Sequence, residues 1–372
     1  DIKGDKAQKE SKILLILAAI SFGISFYSYH SIRIFSPLLL IATLILFRKN
    51  FLKFPKLGIC LFFLIPIVLI VPSFIRGGSE SILKRYETTS MSSRQNDLDR
   101  SVKLLETDKQ EDIGYGNLIH NRRIVIAQTF LKNYLVHFDL NYLFTKGDDN
   151  FRHHIENMGM LYLFELPLIL FGIYLLIKEK TKEAIFILFW VIFSPLAAAP
   201  TNAVPHAVRS FTMIIGLEIM SALGFIEIFK RLKSRRIFLS FSFFVISTSL
   251  LLYLHNYYNH YPKDHAESWQ YGYKQAVEAS RSLESGFEKV IIDPSIEQGY
   301  AYWLFYTKYD PASFQTLGSR EHFDKYYFQS KKPEGSSQLF VSTAAHFPQG
   351  YKALVVINFP SGKEAIKIGN PL

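Results

Sequence analysis

A chain of 372 residues with a mean hydropathy of +0.12 is too apolar for an ordinary soluble protein and too polar for one wholly embedded in lipid. We therefore expect apolar spans together with a large aqueous part. The net charge of +10 would suit nucleic acid, but most of the excess lies in short loops between apolar runs, which excludes nucleic acid as a partner. The single cysteine, Cys60, lies within an apolar run, so an internal disulfide and a cysteine-based metal site are excluded as well.

Seven apolar runs along the chain are candidates for membrane-spanning helices, which need about 17–25 mostly apolar residues. They are residues 13–29, 34–47, 57–75, 158–177, 183–198, 210–229 and 237–254. The basic loops around 48–56, 178–182 and 230–236 fall on one side if every run spans the bilayer. The positive-inside rule makes that side cytoplasmic, so residues 76–157, the loop before residue 210 and everything after His255 are predicted to lie outside.

The predicted outer regions have sequence patterns typical of structure outside the bilayer. Residues 79–116 are polar and predict an irregular loop, whereas 117–138 have apolar residues at helical spacing. Such a helix lies along the membrane surface or packs on the protein's own outer part. After residue 256, strands predicted at 289–293, 338–342 and 354–358 alternate with helices predicted at 267–283 and 296–306. This alternation predicts a small α/β domain with a largely parallel sheet.

The sequence thus predicts a polytopic α-helical membrane protein of about seven transmembrane helices with a C-terminal extracytoplasmic α/β domain. Its predicted parts are transmembrane helices 1–3 in residues 1–75, an extracytoplasmic loop with an interfacial helix in 76–157, transmembrane helices 4–7 in 158–255, and the α/β domain in 256–372.

Three predicted outer helix starts carry an arginine close to a histidine. They are His30 and Arg33 in HSIR, Arg152 and His153 in FRHH, and His206 and Arg209 in HAVR. A helix start favours an anion, and arginine binds phosphate in bidentate fashion. A single arginine at the end of a span often only reaches lipid phosphates. Three such ends favour a site for a phosphate group, and we expect the three arginines to converge on one outer cavity.

The same loops hold donor groups for a divalent cation, although no spacing specifies a metal site. His153, His206 and Asp149 are the candidates for ligands. Asp149 and Glu156 are also conceivable acid–base groups. Nothing in the pattern marks either as a base, so the catalytic residues stay unassigned.

Four stretches in order, YSYHSIRIFSPLLL, GDDNFRHH with the following GMLYLFELPLILFGIYLL, PHAVRS, and YPKDHAESWQYGYKQAV, resemble the C-terminal part of bacterial C-type (GT-C) membrane glycosyltransferases. The relatives include dolichyl-phosphate-mannose–protein mannosyltransferases and lipid A aminoarabinose transferases. The resemblance covers about residues 11–277 and leaves out most of the C-terminal domain.

This resemblance implies a multi-pass enzyme of the bacterial cytoplasmic membrane. Such an enzyme transfers a sugar from a polyprenyl-phosphate carrier to a protein, glycan or lipid acceptor on the extracytoplasmic face. It further implies that the six arginine and histidine positions bind the carrier phosphate or the sugar, in some members with a divalent cation. The family's early acidic outer loop, which supplies the base, is not found here. We therefore expect an inactive fragment whose base lies upstream of Asp1.

Two other functional classes stay open. An O-antigen ligase or polymerase also uses arginines in outer loops around a lipid-linked glycan. A non-enzymatic transporter or sensor with an outer ligand-binding domain would instead carry polar groups at the bilayer midplane or broken helices.

Overall fold

The computed structural model of the chain describes residues 2–72, 90, 95–333 and 335–372. These residues form two compact units, Asp1–Ser249 and Leu250–Leu372. The described part of the first unit is built from helices, and the second contains a six-stranded sheet with helices packed against it. The chain is therefore mostly helical, with a mixed sheet in its C-terminal unit.

The first unit begins with three apolar helices, α1 (Ile2–Ser25), α2 (Ile32–Leu46) and α3 (Lys56–Ile70). Leu15 and Ala19 of α1 are buried together with Phe62 of α3. Each helix falls on one of the predicted runs, but α2 and α3 have only 15 residues. At about 1.5 Å per residue they extend about 22 Å, which is less than the roughly 30 Å of a hydrocarbon core.

Polar residues form the next helix among the described residues, α4 (Gln95–Gln110), so the prediction of an irregular loop is wrong there. Residues 79–89 and 91–94 of that predicted loop lie outside the described residues. The helix is fixed to the turn that follows it, because Ser101 Oγ donates to the carbonyl of His120 at 2.7 Å and Asp108 Oδ2 lies 2.5 Å from His120 Nδ1. Its stability thus depends on a polar contact with distant sequence, which composition does not reveal.

The helix predicted at 117–138 is divided into three helical segments. A single turn, Gly116–Ile119, precedes α5 (Arg122–Leu135), and a 3₁₀ turn follows at Val136–Phe138. The Asn121 side chain caps α5 by accepting the backbone N–H groups of Arg123 and Ile124.

Four further helices follow in the described part of the first unit. They are α6 (Glu165–Glu179), α7 (Lys182–Phe193), α8 (Phe211–Arg231) and α9 (Arg235–His255), and α9 extends into the second unit. Helix α6 starts seven residues later than the apolar run that begins at residue 158, because the chain around Gly159 packs on the backbone of Leu143. The N–H of Leu161 donates to the carbonyl of Leu143 at 2.8 Å, which is incompatible with a continuous helix from residue 158.

Among the described residues, two helices are long and apolar enough to cross a membrane, Phe211–Arg231 and Arg235–Asp264. The second consists of α9 and the helical turns Asn256–His260 and Tyr261–Asp264 that continue it. Shorter apolar helices occur at Ile13–Ser25, Ile32–Leu46 and Lys56–Ile70. Length and composition therefore support two of the seven predicted spans, and the arrangement with about seven remains a prediction.

The second unit contains helices α10–α12 and strands β1–β6. These are α10 (Tyr273–Leu283), β1 (Lys289–Ile292), α11 (Gly299–Thr307), α12 (Pro311–Leu317), β2 (His322–Phe323), β3 (Tyr326–Phe328), β4 (Gln338–Thr343), β5 (Tyr351–Asn358) and β6 (Glu364–Pro371). The strand order is β2-β3-β1-β4-β6-β5. Trp303, Phe323, Leu339 and Ile366 are buried in its core.

The sheet is mixed, so the expectation of a largely parallel sheet is wrong. Strand β1 pairs in parallel with β3 and β4, whereas β2–β3, β4–β6 and β5–β6 are antiparallel. The difference arises from strands that the sequence pattern missed, the short pair β2 and β3 at one edge of the sheet and β6 near the other. A tight turn, closed by the Phe359 N–H donating to the carbonyl of Lys363 at 2.8 Å, folds β6 back along β5 and places it beside β4.

Candidate functional site

The candidate site lies in the first unit, where two loops distant in sequence meet. The first loop comprises residues 146–157 and the second comprises residues 199–210. Asp148 joins them, since its Oδ2 accepts the backbone N–H of Ala207 at 2.8 Å while its Oδ1 accepts that of Asn150 at 2.9 Å. The residue is only 5% exposed, so this carboxylate is a buried organising centre of both loops.

His153 is oriented by the same carboxylate. Its Nδ1 lies 2.6 Å from Asp148 Oδ2. Burial by itself would raise the pKa of Asp148, but the neighbouring His154 ring and the donors from Ala207, His153 and Asn150 outweigh burial and hold the pKa well below its ordinary value. An ionised carboxylate only accepts hydrogen bonds, so His153 donates the proton on its Nδ1 to Asp148.

His206, from the second loop, lies beside His153. The two ring centroids are 4.8 Å apart with an interplanar angle of 36°. The Nδ1 of His206 accepts the backbone N–H of Arg209 at 3.4 Å. Burial lowers the pKa of His206 to about 4, assisted by the positive charge of Arg209 and by His153. This imidazole is therefore neutral at physiological pH.

Two residues that the sequence pattern did not single out, His137 and Asn133, form hydrogen bonds with the second loop. His137 is fully buried; its Nδ1 donates to the carbonyl of Asn133 at 2.8 Å, and its Nε2 accepts the backbone N–H of His206 at 3.3 Å. The side chain of Asn133 in turn donates to the carbonyl of Ala199 at 3.1 Å. Two polar residues four apart at the end of an amphipathic helix were the available signal.

Two further features fix the loops. Tyr142 Oη and Ser210 Oγ lie 2.9 Å apart at the far end of the second loop, and both residues are buried. Gly147 has a φ of +72°, and a Cβ at this position would lie 2.5 Å from the His154 ring. Both the backbone conformation and the close ring therefore require glycine next to Asp148.

The structure brings together some of the predicted residues. His153 and His206 are neighbours, and Arg209 is in contact with His206 through its backbone while its Nη1 donates to Thr201 Oγ1 at 2.6 Å. The carboxylate next to these histidines belongs to Asp148 rather than to Asp149, which is exposed.

The other predicted residues lie in their own turns. The Nε of Arg152 donates to Asn150 Oδ1 at 3.2 Å on the exposed side of the first loop. The Nε of Arg33 donates to the carbonyl of Phe26 at 2.9 Å, in the turn between α1 and α2, and the His30 ring lies 6.1 Å from that of Tyr29. Convergence of Arg33 and Arg152 on the site of Arg209 remains a prediction.

The chain matches no protein-family model, no curated protein and no solved structure. An imidazole oriented by a carboxylate, the neutral imidazole of His206 and the guanidinium of Arg209 can accept a proton, hold an anion or bind a cation.

Proposed function

We propose that the full-length protein is a membrane glycosyltransferase that transfers a sugar from a polyprenyl-phosphate donor to an acceptor at the outer membrane surface. The observation that carries this proposal is the meeting of the two loops at Asp148. It places His153 of the FRHH motif next to His206 of the HAVR motif, with Arg209 adjoining. Two of the four stretches that carry the resemblance to GT-C enzymes therefore contribute to one polar site.

The position of the site relative to the apolar helices supports a lipid-linked substrate. The second loop ends at Ser210, and the long apolar helix α8 begins at the next residue, Phe211. The first loop precedes α6, which also consists mostly of apolar residues. A phosphate at headgroup level, joined to a lipid tail lying along such helices, would lie next to Arg209.

The exposed surface of α9 supports insertion in a bilayer. No residue of this helix is buried, and Phe243 is 74% exposed. A helix in the core of a soluble protein would instead bury its apolar residues, since a stripe of exposed phenylalanines is unfavourable in water. Hydrocarbon is the environment that suits this surface.

Arg209 has the central role in the proposed reaction. The bond between the sugar C1 and the carrier phosphate oxygen breaks, a bond between C1 and the acceptor oxygen forms, and negative charge develops on the departing phosphate. The guanidinium of Arg209 would stabilise that charge, and His206, a neutral imidazole in the same turn, would add a hydrogen bond. The proton of the acceptor hydroxyl passes to a base other than Arg209 and His206.

The test is transfer from a radiolabelled polyprenyl-phosphate sugar by the full-length protein in proteoliposomes. Arg209→Ala should lower kcat by about 100-fold, the usual loss when a donor to a developing charge is removed. Arg231 lies at the opposite end of α8 and pairs with Glu227 at 2.7 Å, so Arg231→Ala is a matched control that should change kcat by less than about twofold.

Unchanged turnover in Arg209→Ala would remove Arg209 from the mechanism. Absence of transfer by the unaltered protein from every polyprenyl-phosphate sugar tested would refute the glycosyltransferase assignment itself.

A further inference from the structure

The donor atoms of three residues in the candidate site are close enough to share one ion. Asp148, His153 and His206 each offer one ligand atom, and these atoms all lie within 4.8 Å of one another. One carboxylate and two imidazoles form a set that suits borderline divalent cations, and zinc sites with three protein ligands keep a fourth position open. Hard cations such as Mg²⁺ favour oxygen ligands instead, so the chemistry of this set selects against them.

An independent observation at the same carboxylate concerns His154. Its side chain is 3% exposed, and its Nδ1 makes no hydrogen bond to any described residue. The nearest ionic partner is Asp148 Oδ1, which lies 3.7 Å away and is too distant for a hydrogen bond. This buried nitrogen therefore faces the carboxylate and supports its ionised form, but it does not reach hydrogen-bond distance.

We propose that Asp148, His153 and His206 bind a divalent cation of the Zn²⁺ class, and that His154 positions the carboxylate. In the bound state the Oδ2 of Asp148 faces the cation. The Oδ1 then accepts a hydrogen bond from the Nδ1 of His154, which is the usual arrangement around a ligating carboxylate. The short contact between Asp148 and His153 opens to admit the ion.

Charge and protons balance in this step. His153 carries a proton on Nδ1 while that atom donates to the carboxylate. When Nδ1 becomes a ligand, this proton leaves the atom, to Nε2 where that nitrogen is free or otherwise to solvent, so that the bound imidazole is neutral. The cation adds two positive charges to a site that holds one negative carboxylate. The resulting surplus favours an anionic ligand in the fourth position.

The identity of that fourth ligand rests on the proposed function, whereas the cation site does not. A phosphate oxygen would fit, because Arg209 adjoins His206 and supplies a second positive group on the same side of the loop. A bound cation would then act as a Lewis acid toward the departing phosphate.

The test is a titration of the purified full-length chain in detergent with Co²⁺, whose visible absorption reports coordination by nitrogen and oxygen ligands. We expect saturation at one Co²⁺ per chain and displacement of the colour by Zn²⁺. Asp148→Asn, His153→Gln and His206→Gln should each raise the Kd by at least about tenfold. His154→Phe should weaken binding by up to about tenfold and leave the shape of the absorption spectrum unchanged.

Two controls separate this site from adventitious binding. Asp149→Asn removes an exposed carboxylate next to Asp148. His120→Gln breaks an aspartate–histidine pair of the same chemistry, in which Asp108 Oδ2 lies 2.5 Å from His120 Nδ1. Both should leave the Kd within about twofold.

The proposal is overturned if the folded, unaltered protein shows no saturable Co²⁺ binding, or if the controls weaken binding as much as the ligand variants. It is also overturned if only Asp148→Asn has an effect, because that variant can disturb the fold while the two histidine variants leave the carboxylate in place. No lipid donor is present, so the outcome is independent of transferase activity.

Discussion

Asp148 accepts the backbone N–H of Ala207 through its Oδ2 at 2.8 Å, across a sequence separation of 59 residues. The same oxygen lies 2.6 Å from His153 Nδ1. One buried carboxylate thus fixes the distance between the two loops and the orientation of the His153 ring. Loss of its charge should affect both properties together.

Asp148→Asn should lower the free energy of unfolding by about 1–3 kcal/mol, because an amide accepts the Ala207 N–H less strongly and presents a donor where an acceptor is needed. Thermal unfolding in detergent, followed by tryptophan fluorescence, measures the change. Asp149→Asn is the control, since that carboxylate is exposed and should change stability by less than about 0.5 kcal/mol. Equal effects of the two substitutions would show that the buried carboxylate does not organise the loops.

His137→Phe should destabilise the second loop more than the rest of the unit. The substitution leaves the carbonyl of Asn133 and the backbone N–H of His206 without their side-chain partner in a fully buried environment. The expected loss is about 1–3 kcal/mol. Hydrogen–deuterium exchange should show faster exchange in peptides covering residues 199–210, whereas His120→Phe should leave those peptides unchanged. Uniform acceleration throughout the unit would instead indicate global destabilisation.

The sequence predicted most helices of the first unit, because long apolar runs identify helices without knowledge of their partners. It did not predict α4, whose residues are polar and whose anchor, His120, comes later in the chain. It missed β6 for a related reason, since a strand at this position is defined by its pairing with β4 and β5. Propensity records local preference, and these elements depend on contacts between distant residues.

The candidate site was predictable in part. The matched arginine–histidine pairs of the FRHH and HAVR motifs indicated that the two loops work together, and the structure places their histidines side by side. The sequence could not show which of Asp148 and Asp149 is buried, because adjacent residues of a loop have no periodicity that distinguishes a buried residue from an exposed one. The signal for His137, its spacing of four residues from Asn133, was weak, since polar residues near the end of an amphipathic helix ordinarily face solvent.

Gly172 and Gly224 should be required for the close packing of α6 against α8. A Cβ at Gly172 would lie 2.0 Å from the carbonyl oxygen of Met220, and one at Gly224 would lie 2.1 Å from that of Leu168. Each alanine substitution forces two helix backbones apart, with an expected cost of about 1–3 kcal/mol. Gly58→Ala is the helical control, because its Cβ would meet only a Leu15 methyl group at 3.4 Å. Thermal unfolding of the three variants measures the difference, and a control as unstable as the other two would contradict the close packing.

Tyr326 in the second unit should make stability depend on pH in the alkaline range. Its Oη donates to Glu284 Oε2 at 2.5 Å, and burial together with this acceptor raises the pKa of the phenol well above its ordinary value. Because the folded chain holds the phenolic proton more tightly than the unfolded chain, the contribution is complete below the unfolded pKa of about 10 and is lost as the pH rises above it. Chemical denaturation of the full chain on either side of pH ~10 should show a steeper loss for the unaltered protein than for Tyr326→Phe. Tyr258, which is 70% exposed, provides the control, since Tyr258→Phe should keep the steep dependence. A slope unchanged by Tyr326→Phe would mean that this buried pair does not control the alkaline stability of the unit.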